Sequence, residues 1–148
     1  MSARKRRSKK RSVASSKLRP DEFVLYLDRN LGKHLIANAL RNAGHRVEIH
    51  DDHLPIDAPD EDWISLVGTR RWVALNKDKN IRYRTAEIQA IKEHNARVIV
   101  VRAKNATGAD IAEILIRSHE RICRFAGRVP APFVAGIDRA GTISNYEV

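Results

Sequence analysis

The chain has 148 residues, 43% of them hydrophobic, and one cysteine, Cys123. This length predicts one ordinary domain with its own core, and a single cysteine excludes an intrachain disulfide and a cysteine-based zinc site. No apolar run reaches membrane-spanning length, and the basic amino terminus lacks the apolar stretch of a secretory signal, so we expect a soluble, cytoplasmic protein without a membrane partner.

The formal net charge of +10 is concentrated at the amino terminus. Met1 to Pro20 contains nine Lys and Arg residues and no acid, which leaves 19 basic against 18 acidic residues in the remainder. A Ser-rich, like-charged segment without apolar periodicity cannot bury enough surface to fold. We therefore expect a disordered basic tail over 1–20 and a folded domain over 21–148. The tail either adds salt-sensitive affinity for a polyanion or serves solubility alone.

The first predicted strand is the apolar run from Phe23 to Leu27, which ends at Asp28. Such a run is typical of a strand buried on both faces, and open α/β sheets bind ligands at the carboxyl ends of such strands. Helical spacing of apolar residues from Leu31 to Ala43 then predicts a helix that ends at Gly44. A short second strand is predicted over Arg46–His50.

An acidic segment with Pro55 and Pro59 comes next, and it leads into a short predicted helix that begins at Asp60. The third predicted strand, Trp72–Asn76, leads to Asp78 as the first strand leads to Asp28. We expect Trp63 and Trp72 to lie in the core rather than to stack on bases.

The rest of the chain continues the alternation of helix and strand and closes with two antiparallel strands. The predicted elements are a helix over Thr85–Asn95, a strand over Arg97–Arg102, a long helix over Ala109–Phe125 that stops at Gly127, and a hairpin of Phe133–Ile137 and Thr142–Tyr146. This pattern predicts an α/β fold with three layers, α/β/α, around a mostly parallel central sheet with a C-terminal hairpin.

Three acids converge if the first and third strands are neighbours and the second lies outside the first. Asp28 and Asp78 then face each other at the topological switch point, and the helix that begins at Asp60 rises from the same edge. Three like charges are tolerated at neutral pH only if a cation lies among them or some are protonated. Oxygen ligands favour Mg²⁺ or Mn²⁺ over zinc, and such an ion supports phosphodiester hydrolysis.

Three short segments, together, resemble the acidic motifs of PIN-like domain ribonucleases, in particular the VapC-type toxins of toxin–antitoxin pairs: Leu27–Leu31, Pro59–Trp63 and Asn76–Asn80. The resemblance implies a PIN-like fold and a Mg²⁺- or Mn²⁺-dependent endoribonuclease that acts on RNA and is neutralised by a small antitoxin. A homodimer is a further expectation.

The resemblance also implies roles for single residues. Asp28, Asp60 and Asp78 would be the catalytic, metal-binding acids, and Asn30 would orient a ligand or a water molecule. Two positions depart from the family pattern: Arg29 replaces an acid in the first motif, and Asn80 replaces a second acid in the third. The loss of that acid predicts weaker binding of a second ion. Additional candidate ligands are Glu61, Asp62 and Asn80.

Four basic residues flank Asp78: Lys77, Lys79, Arg82 and Arg84. In a nuclease they would contact substrate phosphates, and the alternative is a solvated loop.

Two other functions fit the same architecture. A receiver-like phosphoacceptor domain also places an Asp after its first strand, and Lys104 could serve as its lysine, but the expected pair of acids is missing at Asp28. A non-catalytic module for binding nucleic acid or protein is supported by Asn80.

The six histidines do not form a recognisable zinc pattern. The spacing of His50 and His53 lacks supporting ligands. We expect the others to lie on the surface: His34, His45, His94 and His119.

Overall fold

The computed structural model describes residues 22–32, 34–146 and 148. The predicted basic tail, 1–20, lies outside these residues. The strands are β1 Leu25–Leu27, β2 Val47–Ile49, β3 Val73–Asn76, β4 Arg97–Arg102, β5 Phe133–Asp138 and β6 Ile143–Tyr146. The α-helices are α1 Leu35–Asn42, α2 Asp60–Arg70, α3 Thr85–His94, α4 Gly108–Arg117 and α5 His119–Arg128.

These strands form one sheet in the order β2-β1-β3-β4-β5-β6. All neighbours are parallel except β5 and β6, which form the closing antiparallel pair. The predicted arrangement of the first three strands is therefore confirmed, because β1 lies between β2 and β3. Receiver-like domains share the strand order 2-1-3-4-5, so strand order alone does not distinguish a PIN-like nuclease from a receiver-like phosphoacceptor domain.

Helices cover both faces of the sheet, and each face has its own apolar cluster. On one face, α1, α4 and α5 pack with Leu25 and Leu27 of β1. On the other face, α2 and α3 pack with Tyr26. The three-layer α/β/α prediction is thus confirmed, as is the core position of Trp63 and Trp72, which are 3% and 9% exposed.

The long helix predicted from Ala109 to Phe125 is wrong in one respect, because α4 and α5 are separate helices. Ser118 has φ −102° and ψ 5°, outside the helical region, and its buried side chain lies at the junction. The N–H of Ser118 still donates to the Ile114 carbonyl, and the N–H of Ile122 donates to the Ser118 carbonyl. The chain therefore bends without forming a loop, and α5 continues past Gly127.

Two further expectations need correction. The predicted helix from Leu31 is interrupted, because Gly32 has a φ of 80° and ends a 3-10 turn over Arg29–Leu31 before α1 begins. Of the histidines expected on the surface, His119 is only 4% exposed because the bend at Ser118 directs it into the protein, and the His45 side chain is only 15% exposed.

Among the described residues, no helix is long and apolar enough to cross a membrane.

Candidate active site

Asp28 and Asp78 follow β1 and β3 at the same edge of the sheet, in matching local structures. The Asp28 Oδ2 accepts a hydrogen bond from the Asn30 N–H (3.3 Å), and the Asp78 Oδ1 accepts one from the Asn80 N–H (3.1 Å). Each Asp is followed by a 3-10 turn, and the second spans Ile81–Tyr83. Asp side chains favour such turns because they accept a hydrogen bond from the backbone two residues on. The contact of Asn80 with Asp78 is therefore made by the backbone N–H of Asn80.

The loops after β1 and β3 are joined directly. The side-chain oxygen of Asn30 accepts a hydrogen bond from the Lys77 N–H at 3.1 Å. The Asp28 N–H donates to the Leu75 carbonyl at 3.0 Å. Buried Asn76 accepts from the Asp78 N–H at 3.1 Å and so fixes the start of the second loop. Asn30 therefore holds the two Asp-bearing loops together.

Asp60 is the first residue of α2 and is exposed. Its Oδ1 accepts a hydrogen bond from the Trp63 indole N–H at 3.1 Å. The Trp63 ring stacks on Tyr26 of β1, with 6.3 Å between ring centroids. A carboxylate in the first turn also interacts favourably with the helix dipole. The buried aromatic pair thereby anchors the start of α2 beside β1.

The pKa of Asp28 is raised above its ordinary value, first of all by burial and further by the negative charge of Asp60. The Asn30 N–H and the charge of His50 oppose this rise. The negative charge of Asp60 therefore disfavours the charged form of Asp28. This arrangement favours the approach of a cation.

Arg84, at the start of α3, supplies a positive charge at this edge. Its guanidinium forms an ion pair with the Asp78 Oδ2. The hydrogen bond and charge of Asp78 raise the pKa of Arg84, and the charge of Asp60 contributes in the same direction. The four groups thus form a chain of interacting charges, in the order Asp28, Asp60, Arg84 and Asp78.

Within the described part of the chain, the ligand atoms of Asp28, Asp60 and Asp78 do not all lie within 4.8 Å of one another, so the three acids share an edge of the sheet without forming the close cluster that the sequence predicted. Ligand atoms of three residues lie within 4.8 Å of one another in two other groups: Glu22 with His45 and His119, and Glu61 with Glu93 and His94. One Asp78 oxygen is directed at the Arg84 guanidinium.

The additional candidate ligands lie in the first turn of α2 and beside Asp78. Glu61 interacts with His94 at the end of α3, with 3.5 Å between Oε2 and Nε2. Asp62 is exposed. The side chain of Glu61 thus links α2 to α3.

The predicted substrate-binding residues surround Asp78 in two groups. Lys77 and Lys79 are exposed and line a cleft that also includes Arg102, Lys104 and Asp138. Arg82 lies over the rings of Tyr83 and Tyr146, 4.7 and 4.1 Å from their centroids. The cleft is mostly basic and adjoins the loop that bears Asp78.

Sequence reasoning missed three neighbours of the site. Arg102 and Lys104 were not identified with it, although both come at the end of the fourth strand, where the argument used for Asp28 applies. His50 is buried, and its Nδ1 lies 2.7 Å from the Tyr26 hydroxyl. Its position at the end of the second strand was the available signal.

These donors fit a hard divalent cation by their chemistry. The acids at this edge offer carboxylate oxygens, and Mg²⁺ and Mn²⁺ prefer oxygen ligands. A bound cation would offset the effect of the Asp60 charge on Asp28, because a positive charge favours the ionised carboxyl.

The fold and this acidic edge define a class of protein, and sequence comparison agrees. The sequence model of the family described as "PIN like domain" matches residues 23–103, more than half of the chain. The chain therefore belongs to the PIN-like domain family, and this membership excludes the receiver-like alternative. A similar protein is the "Putative ribonuclease VapC45" of Mycobacterium tuberculosis, which is 29% identical over 127 residues. The match covers 79% of this chain and 91% of that protein.

Proposed function

We propose that this protein is a metal-dependent endoribonuclease that hydrolyses RNA phosphodiester bonds and is the toxin of a type II toxin–antitoxin system. The observation that carries the proposal is the pair of Asp-bearing loops after β1 and β3, joined by the Asn30–Lys77 hydrogen bond. The similarity to VapC45, which is named as a ribonuclease, supports RNA as the substrate.

In this proposal Asp28, Asp60 and Asp78 hold Mg²⁺ or Mn²⁺. An ion held there would supply a water molecule of lowered pKa and a positive charge near the phosphate. Asn30 keeps the two loops at a fixed separation, and Glu61 and Asp62 are alternative ligands at the start of α2. The change from an acid to Asn80 removes one charge and favours a single ion.

The basic residues position the substrate. Lys77 and Lys79 bind phosphates along the cleft, and Arg82 does so beside the aromatic rings on which it lies. Arg84 can pair with Asp78 or with a phosphate, since its guanidinium can donate two parallel hydrogen bonds to the oxygens of either anion. Substrate binding would thus release Asp78 from its ion pair.

A small cognate antitoxin is the protein partner that we propose, and the cytoplasm is the proposed location. The family resemblance of the acidic motifs and the similarity to VapC45 support both.

The test is RNA cleavage by tag-free protein with Mg²⁺, with Mn²⁺ and with a chelator. We expect cleavage of single-stranded RNA only when a metal is present, and its loss in Asp28→Asn and in Asp78→Asn. Asp57→Asn, a matched change at an exposed acid outside the site, should retain cleavage. Wild-type activity in both site variants would reject the assignment. RNA binding without cleavage in the wild type would favour a non-catalytic binding module.

The melting temperature of Asp28→Asn shows whether that variant folds. The pKa of Asp28 is higher in the folded protein than in the unfolded chain, so the folded protein binds this proton more tightly. The free energy of unfolding of the wild type therefore falls as the pH rises from the pKa of Asp28 in the unfolded chain to its pKa in the folded protein. Asn carries no charge and avoids this loss, so the variant should melt at the same or a higher temperature at neutral pH. The difference should vanish at acidic pH, where the carboxyl is protonated in both states.

A further inference from the structure

A second group of potential metal ligands lies at the opposite edge of the sheet, beside the amino-terminal ends of β1 and β2. Glu22 precedes β1, His45 lies between α1 and β2, and His119 is the first residue of α5. The Glu22 Oε2 lies 3.8 Å from the His45 Nδ1 and 4.0 Å from the His119 Nε2. Three segments distant in sequence therefore direct ligand atoms at one point, all within 4.8 Å of one another.

The side chains of this group are largely shielded from water. Those of Glu22, His45 and His119 are 8%, 15% and 5% exposed. The two imidazole rings are stacked, with 3.4 Å between centroids and 12° between planes. Two positive rings at this distance would repel, whereas two neutral imidazoles and one carboxylate form a common ligand set for transition metals.

Cys123 adds a sulfur donor one turn further along α5. Its Sγ lies 3.8 Å from the His119 Nε2, and the Phe23 N–H donates a hydrogen bond to this sulfur at 3.5 Å. Backbone N–H groups that bond to a ligand atom hold it in place and help to stabilise a thiolate. The cluster also lines a surface pocket, which gives an ion a route of entry.

One cysteine cannot build a cysteine-based zinc site, but it can complete a site of mixed ligands. We propose that Glu22, His45 and His119 bind a transition-metal ion of the zinc class, with Cys123 as the fourth ligand. Metal–ligand bonds of about 2.0–2.3 Å place tetrahedral donors roughly 3.3–3.6 Å apart. The separations of 3.8 and 4.0 Å between Glu22 and the two histidines require those side chains to close by a few tenths of an ångström. Cys123 is 3.8 Å from the His119 Nε2 but lies outside the group of atoms within 4.8 Å, so its side chain must move further. The stacked rings must also tilt, because the lone pair of each nitrogen lies in its ring plane.

This site differs from the acidic edge in position and in chemistry. It contains nitrogen and sulfur donors, whereas the acidic edge offers carboxylates suited to a hard cation. An ion here would connect the start of β1, the α1–β2 loop and the α4–α5 junction. Its role is therefore to stabilise the fold, and it is independent of RNA cleavage.

The experiment uses tag-free, full-length protein with Asp28→Asn and Asp78→Asn, so that binding at the acidic edge is weakened. Co²⁺ is added and followed by absorption, and Zn²⁺ is then used as a competitor. We expect one equivalent of tetrahedral Co²⁺ with a thiolate charge-transfer band, displacement by Zn²⁺, and a rise in melting temperature of several degrees.

Glu22→Gln and His45→Gln in this background should each weaken Co²⁺ binding by at least about tenfold, and Cys123→Ser should abolish the thiolate band. His94→Gln, which alters the exposed Glu61–Glu93–His94 group, is the matched control and should bind as before. Unchanged affinity in Glu22→Gln and His45→Gln, or loss of binding in His94→Gln alone, would overturn the site. A missing thiolate band in the parent protein would overturn the assignment of Cys123.

Discussion

Arg84 shows how one side chain can set the state of the acidic edge. Its guanidinium is the ion-pair partner of Asp78, and the charge of Asp60 also contributes to its raised pKa. Under the proposed function, Arg84 would therefore compete with a cation for the Asp78 carboxylate, and it would also offer a site for a phosphate. These two effects can be separated experimentally.

Replacing Arg84 by Gln should raise the affinity for Mn²⁺ and lower the affinity for RNA. Mn²⁺ binds more tightly because Asp78 loses its competing partner, and RNA binds more weakly because one phosphate contact is lost. The slope of log K against log salt should fall by about 0.7 for single-stranded RNA. Calorimetry with Mn²⁺ and RNA titrations at several salt concentrations measure both quantities.

Arg82→Gln is the control for this prediction. Arg82 lies over two tyrosine rings and has no ion pair with Asp78 among the described contacts, so its loss should weaken RNA binding without changing Mn²⁺ affinity. Equal Mn²⁺ affinities in the Arg84 and Arg82 variants would contradict the competition.

At this scale, sequence reasoning located the strand-end acids but not their partners. Asp28 and Asp78 could be placed because apolar runs determine where the strands end. The Arg84 ion pair and the Asn30–Lys77 hydrogen bond depend on loop conformation, which no periodic pattern encodes. The specific roles of the acids in catalysis stay predictions.

Among the elements, α2 and α3 are in unusually close contact at Gly68. A Cβ added there would lie 2.9 Å from the backbone carbonyl carbon of His94 and closer still to its oxygen. The same helix pair carries the Glu61–His94 ion pair. Gly68 is thus required by the packing of the helix that begins with Asp60.

Gly68→Ala should destabilise the protein by about 1–3 kcal/mol, because backbone atoms must move to admit the methyl group. Gly127→Ala is the matched change within α5, where an added Cβ would meet only Phe23 Cε2 at 4.0 Å. It should stabilise the protein by about 0.5–1 kcal/mol through helix propensity. Urea unfolding measures both changes, and equal effects of the two substitutions would contradict this account.

The break between α4 and α5 shows where element prediction fails. The apolar spacing continues through Ser118, and no Pro or Gly marks the bend. Gly127 looked like a helix end, although it lies within α5. Tertiary packing at the bend overrides these local signals, and it also buries His119.

Across the whole molecule, positive charge is divided unevenly between residues 1–20 and the rest of the chain. Residues 1–20 contain nine basic residues, and the remainder is nearly neutral. If the tail binds RNA, its contribution is electrostatic and must depend on salt.

Deleting Met1 to Pro20 should lower the RNA affinity and reduce its salt dependence, because fewer counterions are released from RNA. The metal requirement for cleavage should stay the same, since the acidic edge is untouched. A full-length variant with the nine Lys and Arg residues changed to Gln distinguishes the effect of the tail's charge on RNA binding from the effect of its length. Identical salt slopes for wild type and both variants would show that the tail is not an RNA-binding arm.

The overall fold could be predicted in its main features because the patterns that indicate strands and helices repeat along the chain. Alternating strands and helices implied a mostly parallel sheet, and the apolar runs identified its buried strands. The cluster of Glu22, His45 and His119 could not be predicted, because its members come from three segments with no common motif. Only the folding of the whole chain brings them together.

The segment over 77–84 connects β3 to α3 and is fixed to the interior mainly by Ile81, which is 2% exposed. Its other side chains are at least partly accessible, and Tyr83 is 68% exposed. For protein engineering, this segment is therefore a replaceable cassette. Libraries that retain Asp78 and Ile81 and randomise the intervening and flanking positions can explore new RNA preferences while the parallel sheet beneath stays intact.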